Sequence, residues 1–528
     1  MTATEYLALQ NGTDVRGVAT EGVKNQPITL TEEAVETIAK AFCVWLVSHT
    51  GKTAVRVAVG YDSRISSPAL CEAAAKGIVS TGHNVLVTGL STTPSMFMLL
   101  KDEARMQELP CDGSIMITAS HLPFNRNGMK FFCQKGGLES ADVKELLTLA
   151  ANYRFAMGVT GEKVQASYLD DYAASLVAKV RAATGETTPL KGKKIIVDAG
   201  NGAGGFFADK VLAVLGADTA GSQFLEPDGT FPNHIPNPEN KEAMHSVCEA
   251  VKASGADFGI IFDTDVDRAG AVDKNGAEIN RNRLIALISA ILLSEKAGTI
   301  VTDSVTSDGL AKFIAQKGGK HHRFKRGYKN VINEAIRLGN EGEYAPLAIE
   351  TSGHAALMEN YFLDDGAYLI TRLLIALANA AKEGKELCDL IADLQEPKTA
   401  TEARLNFALD CDFKLLGAHV LKAYKEHAET LPYATLAPDN YEGCRVNYDE
   451  NNGKGWALLR MSLHEPILPI NIESDDEAGA LKIAKNLYGF LKQFPFLDLA
   501  PLQQAIETER QKLINHLKAN KHALTFLF

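Results

Sequence analysis

Short apolar runs rich in valine and isoleucine alternate with longer helical stretches along most of this chain, and that alternation constrains the fold more than any other feature. Expected strands are Ala54–Tyr61, Asn84–Thr88, Ser114–Thr118, Lys194–Asp198, Phe258–Asp263 and Thr299–Thr302. Each is short and runs into a turn or a helical pattern. Strands that alternate with helices build α/β layers on parallel or mixed sheets. The order repeats three times. From about residue 402 the pattern changes: two strands, Ala457–Met461 and Leu468–Ile472, precede a helix at Asp476–Gln493 and a C-terminal helix at Leu502–Ala519.

At 528 residues the chain exceeds the size at which a single core stops growing, so several domains are expected. A turn-rich segment at Ala183–Lys193, a helix end at Glu295–Gly298 and a second at Glu396–Thr401 divide it into 1–188, 189–297, 298–398 and 399–528. The 54 basic and 65 acidic side chains give a net charge of −11. That balance argues against nucleic acid or an anionic membrane as the main partner, and leaves room for a local basic pocket around a small anion. The longest apolar stretch, Leu284–Leu293, is interrupted by Ser289 and is far shorter than the ~18 residues of a membrane span. Met1–Gly12 shows no signal-peptide pattern. Eight cysteines without a CxxC pair point to a reduced, cytoplasmic protein.

Four loops carry residues suited to chemistry. The first, Thr118–Lys130 (TASHLPFNRNGMK), follows the strand GSIMI. Ser120 at a strand's C-terminal end is a candidate nucleophile, His121 stands beside it, and Lys130 suits a phosphate carried on Ser120. The hydrolase elbow GxSxG is absent, because Thr118 and Leu122 stand where glycines are needed. A polar turn with Asn127-Gly128 at its tip is the plainer reading. The second loop, Asp263-Thr264-Asp265-Val266-Asp267-Arg268, follows FGIIF. Three alternate carboxylates converge naturally on a hard cation such as magnesium or calcium. An EF-hand is excluded, since Arg268 and Lys274 occupy its glycine and glutamate positions. The third, Glu350-Thr351-Ser352-Gly353-His354 with Asp364-Asp365-Gly366 behind it, can bind neighbouring sugar hydroxyls or act as a helix-entry turn. The fourth, Arg460-Met461-Ser462-Leu463-His464-Glu465-Pro466, joins two strands and offers Arg460, Ser462 and His464 to a phosphate. A fifth signal competes with these. Gly200–Gly205 (GNGAGG) fits a dinucleotide-binding turn, but no acidic residue ends the next strand as NAD or NADP requires.

Taken together, the loops resemble those of the α-D-phosphohexomutase superfamily, the phosphomannomutases and phosphoglucomutases. TASHLPFNRNGMK is similar to the family's TASHNPxxxNGxK, DTDVDR to DGDxDR, ETSGH to GExSGH, and RMSLHEP stands in the place of RxSGTEP. Gly12–Gly17 (GTDVRG), Gly60–Ser66 (GYDSRIS), and Pro227–Pro232 (PDGTFP) with His234 extend the match, and GNGAGG has its own place in the pattern. The similarity runs in family order from about residue 11 to 473.

The resemblance implies three related α/β domains with mixed sheets and a smaller C-terminal α+β domain around a central cleft. It implies a mutase that moves phosphate between the 1- and 6-positions of a hexose, mannose or glucose, through phosphorylated Ser120 and a hexose 1,6-bisphosphate. Ser120, Asp263, Asp265 and Asp267 would bind one Mg²⁺ per chain. Lys130, Arg268 and Arg16, with His121, would serve the transferring group, and Glu350, Ser352 and His354 would hold the sugar. Arg460, Ser462 and His464 would hold its other phosphate, and hexose 1,6-bisphosphate would act as activator. The partner is then a small phosphosugar, with oligomeric state, monomer or dimer, left open. Two alternatives are a weakly catalytic paralogue that binds sugar phosphates or supplies the bisphosphate, and an NAD(P)-linked dehydrogenase. Thr264, Leu122, Leu463, His464 and Pro469 depart from the family pattern, and those in the fourth loop bear on how phosphate is held there.

Overall fold

The computed structural model describes residues 1–155, 160–407, 412–462 and 465–525, with side chains through Lys518. The chain forms two compact units, Met1–Ile291 with Ser352–Ile391, and Leu292–Thr351 with Ala392–Phe528.

The first unit contains two sheets. In the larger, Arg56–Tyr61 lies parallel to both Asn84–Leu90 and Gly113–Ile117, and Lys163–Gln165 extends the parallel edge. Gly113–Ile117 pairs antiparallel with Arg126–Cys133, which pairs antiparallel with Asp14–Val18. Gly113–Ile117 is buried at every residue, as expected for an interior strand covered on both faces. The helices Glu32–Thr50, Ser67–Ser80 and Ser140–Asn152 supply much of one core around Phe42, Leu46, Ile78 and Leu146. Thr31 caps the first of these through the Ala34 N–H, and Gly51 ends it in a left-handed turn. The second sheet places Phe258–Phe262 parallel to Ile195–Asp198 and antiparallel to Ala269–Asp273. A short antiparallel pair, Ala355–Leu357 with Leu363–Asp364, and the helix Gly366–Lys382 complete the unit.

The second unit has three parallel strands, Lys320–Phe324, Thr299–Asp303 and Leu347–Ile349, with helices Asp308–Gln316 and Tyr328–Asn340. Its C-terminal part is an antiparallel sheet in the order Thr399–Asn406, Ile467–Ser474, Gly455–Leu459, Cys444–Tyr448, Ala434–Leu436. Leu405, Val446, Leu468 and Ile470 on this sheet share a core with Leu487, Leu491 and Leu502 from the last two helices.

Each strand expected from the sequence is present to within two residues at either end; Asn84–Leu90 and Ile467–Ser474 each run two residues further at the C-terminal end. Two expectations need correction. Asn127-Gly128 is not a turn tip: both lie in Arg126–Cys133, where Asn127 faces Gly17 and Gly128 faces Arg16. Pairing with Asp14–Val18 at these two residues outweighs the local turn preference of Asn-Gly. Glu350–Gly353 is not a helix entry, since it leads from Leu347–Ile349 into Ala355–Leu357. The seven described cysteines are all free. Among the described residues no helix is long and apolar enough to cross a membrane.

Candidate active site

The strand Gly113–Ile117 delivers Thr118–Ser120 to its C-terminal end. Ser120 is 6% exposed and adopts φ +51°, a left-handed conformation that costs free energy for a non-glycine residue. The Ser120 N–H donates to Thr118 Oγ1 at 2.9 Å. Its hydroxyl donates to Asp263 Oδ2 at 3.1 Å and accepts from Arg268 Nη2 at 3.1 Å, with His121 Nδ1 3.3 Å away. Arg16, ion-paired with Asp14 at 2.6 Å, donates to the Thr118 carbonyl at 3.0 Å.

The aspartate trio occupies the hairpin between Phe258–Phe262 and Ala269–Asp273. Its tip, Val266, has φ +67°, which is strained for a β-branched residue. Three neighbours hold that path. Ala203 N–H donates to Thr264 O at 2.8 Å, Thr93 N–H to Asp265 O at 2.9 Å, and Gly366 N–H to Val266 O at 3.0 Å. Gly202 permits the first contact, because a Cβ there would lie 2.7 Å from Thr264 O. The glycine-rich turn Gly200–Gly205 therefore supports this loop, which accounts for Gly202 without a dinucleotide.

Asp263, Asp265 and Asp267 are 0%, 0% and 2% exposed, and each offers an oxygen within 4.8 Å of the others. Burial, and then repulsion from Asp267, raise the Asp263 carboxyl well above its usual range. Asp267 is lowered despite its burial, because Lys130, His354 and Arg268 face it. Among the described residues, Asp265 Oδ1 and Asp267 Oδ1 are buried without a hydrogen-bond partner. Buried acceptor oxygens on converging carboxylates are the donor set a hard divalent cation requires, so the residues fit a metal.

Positive groups ring the trio. The Lys130 ammonium bonds Asp267 and lies 3.2 Å from Asp265. Burial opposes its charge, but Asp265, Asp267 and Asp14 raise it well above the ordinary lysine value. Arg268 lies 3.1 Å from Asp263 through Nε and also bonds His121 Nδ1. The Arg268 charge drives His121 down to about 2, so the imidazole is neutral. His354 pairs with Asp364 at 2.7 Å. Burial disfavours its proton, yet Asp364 and Asp267 outweigh burial and raise it to about 9. A backbone bridge between Arg268 and His354, and a bond from Ala269 N–H to Gly353 O, bring the third loop beside the aspartates. Ser352 belongs to this same unit and is 7% exposed.

Glu350 belongs to the second unit, where it accepts from the Gly327 N–H at 2.7 Å. There Arg326 pairs with buried Asp303 at 3.3 Å, and Glu442 accepts from the Arg326 N–H and the Ser304 hydroxyl. Arg460 is 8% exposed, and its Nε has no hydrogen-bond partner among the described residues. Burial, and then the neighbouring charge of Arg326, lower its affinity for a proton. Ser462 Oγ accepts from the Glu465 N–H at 3.2 Å. His464 lies outside the described residues.

The sequence reading misses Thr93, whose hydroxyl donates to Asp265 Oδ2 at 2.5 Å, and Asp364 as the partner of His354. Thr93 arrives from 172 residues away and shows locally only as part of a helix start, Thr92-Thr93-Pro94-Ser95.

Models of phosphoglucomutase/phosphomannomutase α/β/α domains I, II and III match residues 9–156, 168–276 and 280–397. A phosphoglucomutase of Neisseria gonorrhoeae is 30% identical over 492 residues, covering 92% of this chain and 96% of that protein. A phosphomannomutase/phosphoglucomutase of Pseudomonas putida is 30% identical over 430 residues, covering 81% and 85%. The crystal structure of a phosphoglucomutase/phosphomannomutase family protein from Burkholderia thailandensis superposes with a TM-score of 0.75 at 27% identity, covering 93% of this chain and 98% of that one. On these matches and the loops described above, the chain belongs to the phosphoglucomutase/phosphomannomutase family of enzymes.

Proposed function

We propose that this chain interconverts hexose 1-phosphate and hexose 6-phosphate, with mannose or glucose as the sugar, through phosphorylated Ser120. The observation that carries the proposal is the setting of the Ser120 hydroxyl, 3.1 Å from both Asp263 and Arg268 at the end of a buried strand. Phosphoryl transfer is chiefly a matter of positioning and charge neutralisation, and these residues supply both. Asp263, Asp265 and Asp267 would hold Mg²⁺ with an oxygen of the Ser120 phosphate. The ion, when bound, neutralises charge on the transferring group. Arg268, Lys130 and Arg16 bring further positive charge to Ser120. Neutral His121 orients Arg268 through Nδ1. Ser352, His354 and Glu350 are assigned to the sugar, and Arg460, Ser462 and His464 to its other phosphate. Phosphate passes from Ser120 to the free sugar hydroxyl, and the bisphosphate then returns its other phosphate to Ser120. Hexose 1,6-bisphosphate would accordingly serve as activator. The chain would carry four domains, 1–188, 189–297, 298–398 and 399–528, and work in the cytoplasm.

A coupled assay with glucose 1-phosphate and mannose 1-phosphate, Mg²⁺ and a trace of the 1,6-bisphosphate tests the reading. Formation of the 6-phosphate, with an intact-mass gain of about 80 Da on the Ser120 peptide, is the expected result. Absence of turnover on both sugars with Ser120 loaded would leave the binding role instead.

A further inference from the structure

We infer that Arg64 is a positioning residue that sets the conformation of the Ser120 loop, held in place by Phe231. The inference rests on Ser120 being the phosphoryl carrier. Arg64 is 1% exposed, and none of the hydrogen bonds described for its guanidinium goes to the aspartate trio or the Ser120 hydroxyl. Its guanidinium instead donates to four carbonyls of the loop. Nη2 bonds Ser120 O and Leu122 O, the latter at 2.6 Å, and Nη1 bonds Pro123 O at 2.8 Å and Arg126 O at 3.0 Å. Four carbonyls turned toward one planar cation fix the path of the backbone from 120 to 126. That path includes the left-handed turn at Ser120, which a serine adopts only when its surroundings impose it. Charge-assisted bonds of this kind are about twice as strong as neutral ones.

The fork is itself oriented. Buried Asp62 lies 3.3 Å from Arg64 Nε, and its other oxygen accepts from the Arg64 N–H at 3.1 Å and the Ser67 hydroxyl at 2.8 Å. The Phe231 ring sits 5.3 Å from the guanidinium carbon, a cation–π distance. The segment around Phe231 packs directly on the Arg64 backbone: a Cβ on Gly229 would lie 2.3 Å from Ile65 N and 2.7 Å from Arg64 C. The motifs GYDSRIS and PDGTFP thus meet as one device beneath the serine.

Lysine has the charge but not the fork, so it cannot serve four carbonyls. In Arg64→Lys, kcat per folded molecule should fall about 100-fold, with KM for hexose 1-phosphate changed by less than about twofold. Loading of Ser120 by hexose 1,6-bisphosphate, read as intact mass against time, should slow in parallel. Where Arg64→Ala folds, added guanidinium chloride should restore at least about tenfold. Phe231→Leu keeps the bulk and removes the ring, and should lower kcat about three- to fivefold at unchanged KM. An Arg64→Lys enzyme whose melting temperature drops while kcat per folded molecule stays within about twofold of wild type would overturn the positioning role alone. Turnover retained in Ser120→Ala would instead remove the phosphoserine reading on which it rests.

Discussion

Ser120 and Arg460 make an instructive pair. Both are buried and both stand at the end of a strand, but their surroundings differ. Around Ser120 every contact is already made: a backbone anchor, a carboxylate, a guanidinium and an imidazole converge on one residue. Arg460 has a cationic neighbour in Arg326 and a buried Nε without a hydrogen bond among the described residues. In the proposed function the first arrangement is preorganised for transfer, and its interactions serve geometry. In the proposed function the second awaits an anion, so its contribution should appear in binding.

The most direct way to break that contrast is Ser120→Ala. Turnover should fall by about 10⁴- to 10⁶-fold, and the phosphorylated species should disappear from the intact-mass spectrum. Full activity in that variant would end the distinction. Chelation tests the same half through its aspartates. EDTA should abolish turnover and Mg²⁺ restore it, and Asp265→Asn should raise the Mg²⁺ concentration needed for half-maximal rate by at least about tenfold. An EDTA-insensitive enzyme contradicts it. The second half is sharpened by Arg460→Ala. A charge-assisted bond worth about 1.5–3 kcal/mol corresponds to a loss of about 10- to 150-fold in kcat/KM. The loss should fall mainly on KM, with Ser120 still phosphorylated. A kcat/KM within about twofold of wild type would show that the phosphate is held elsewhere.

The smallest effect separates stability from catalysis in the second unit. Burial raises Glu473 to about 7, although Arg445 opposes the shift. An unfolded glutamate titrates near 4.3. Between those values the native state holds a proton that the unfolded state has lost, so stability falls as pH rises from about 4.5 to about 7.5. Glu473→Gln should flatten that dependence and raise the melting temperature at pH 8 by a few degrees. A thermal-shift series from pH 5 to 8 reads both; an unchanged slope in the variant would assign the dependence to other groups.

The alternation of strands and helices was legible because each strand is a short apolar run whose pattern is local. The serine and aspartate loops were legible for the same reason: each follows directly on such a strand and keeps its chemistry within a few residues. What surrounds them was not. Thr93, Asp62 and Arg64 reach the site from distant elements, and nothing in TTPS or GYDSRIS states which backbone they will hold. Asn127-Gly128 misled because a pair with strong turn preference became two rungs of a doubly paired strand. His354 was readable as a sugar ligand, but its charge depends on Asp364 and Asp267, which only the fold brings near.

The first unit is assembled from chain that is not contiguous, and this bears on the order in which the protein is made. Its aspartate hairpin is complete in sequence at Arg268, but two of its backbone restraints, from Gly353 and Gly366, are encoded well downstream, after the segment Leu292–Thr351 of the other unit. At about 5–20 residues per second, a ribosome takes roughly 5–20 s to add the residues that separate Arg268 from Gly366. During that interval the nascent hairpin carries three crowded carboxylates and a strained Val266 with Thr93 and Ala203 already made but without Gly353 and Gly366. The Ser120 loop, by contrast, has its Arg64 and Asp62 supports already on the emerged chain. The nucleophile's half of the site can therefore settle first, and the acidic half follows only once residues beyond 366 have left the exit tunnel.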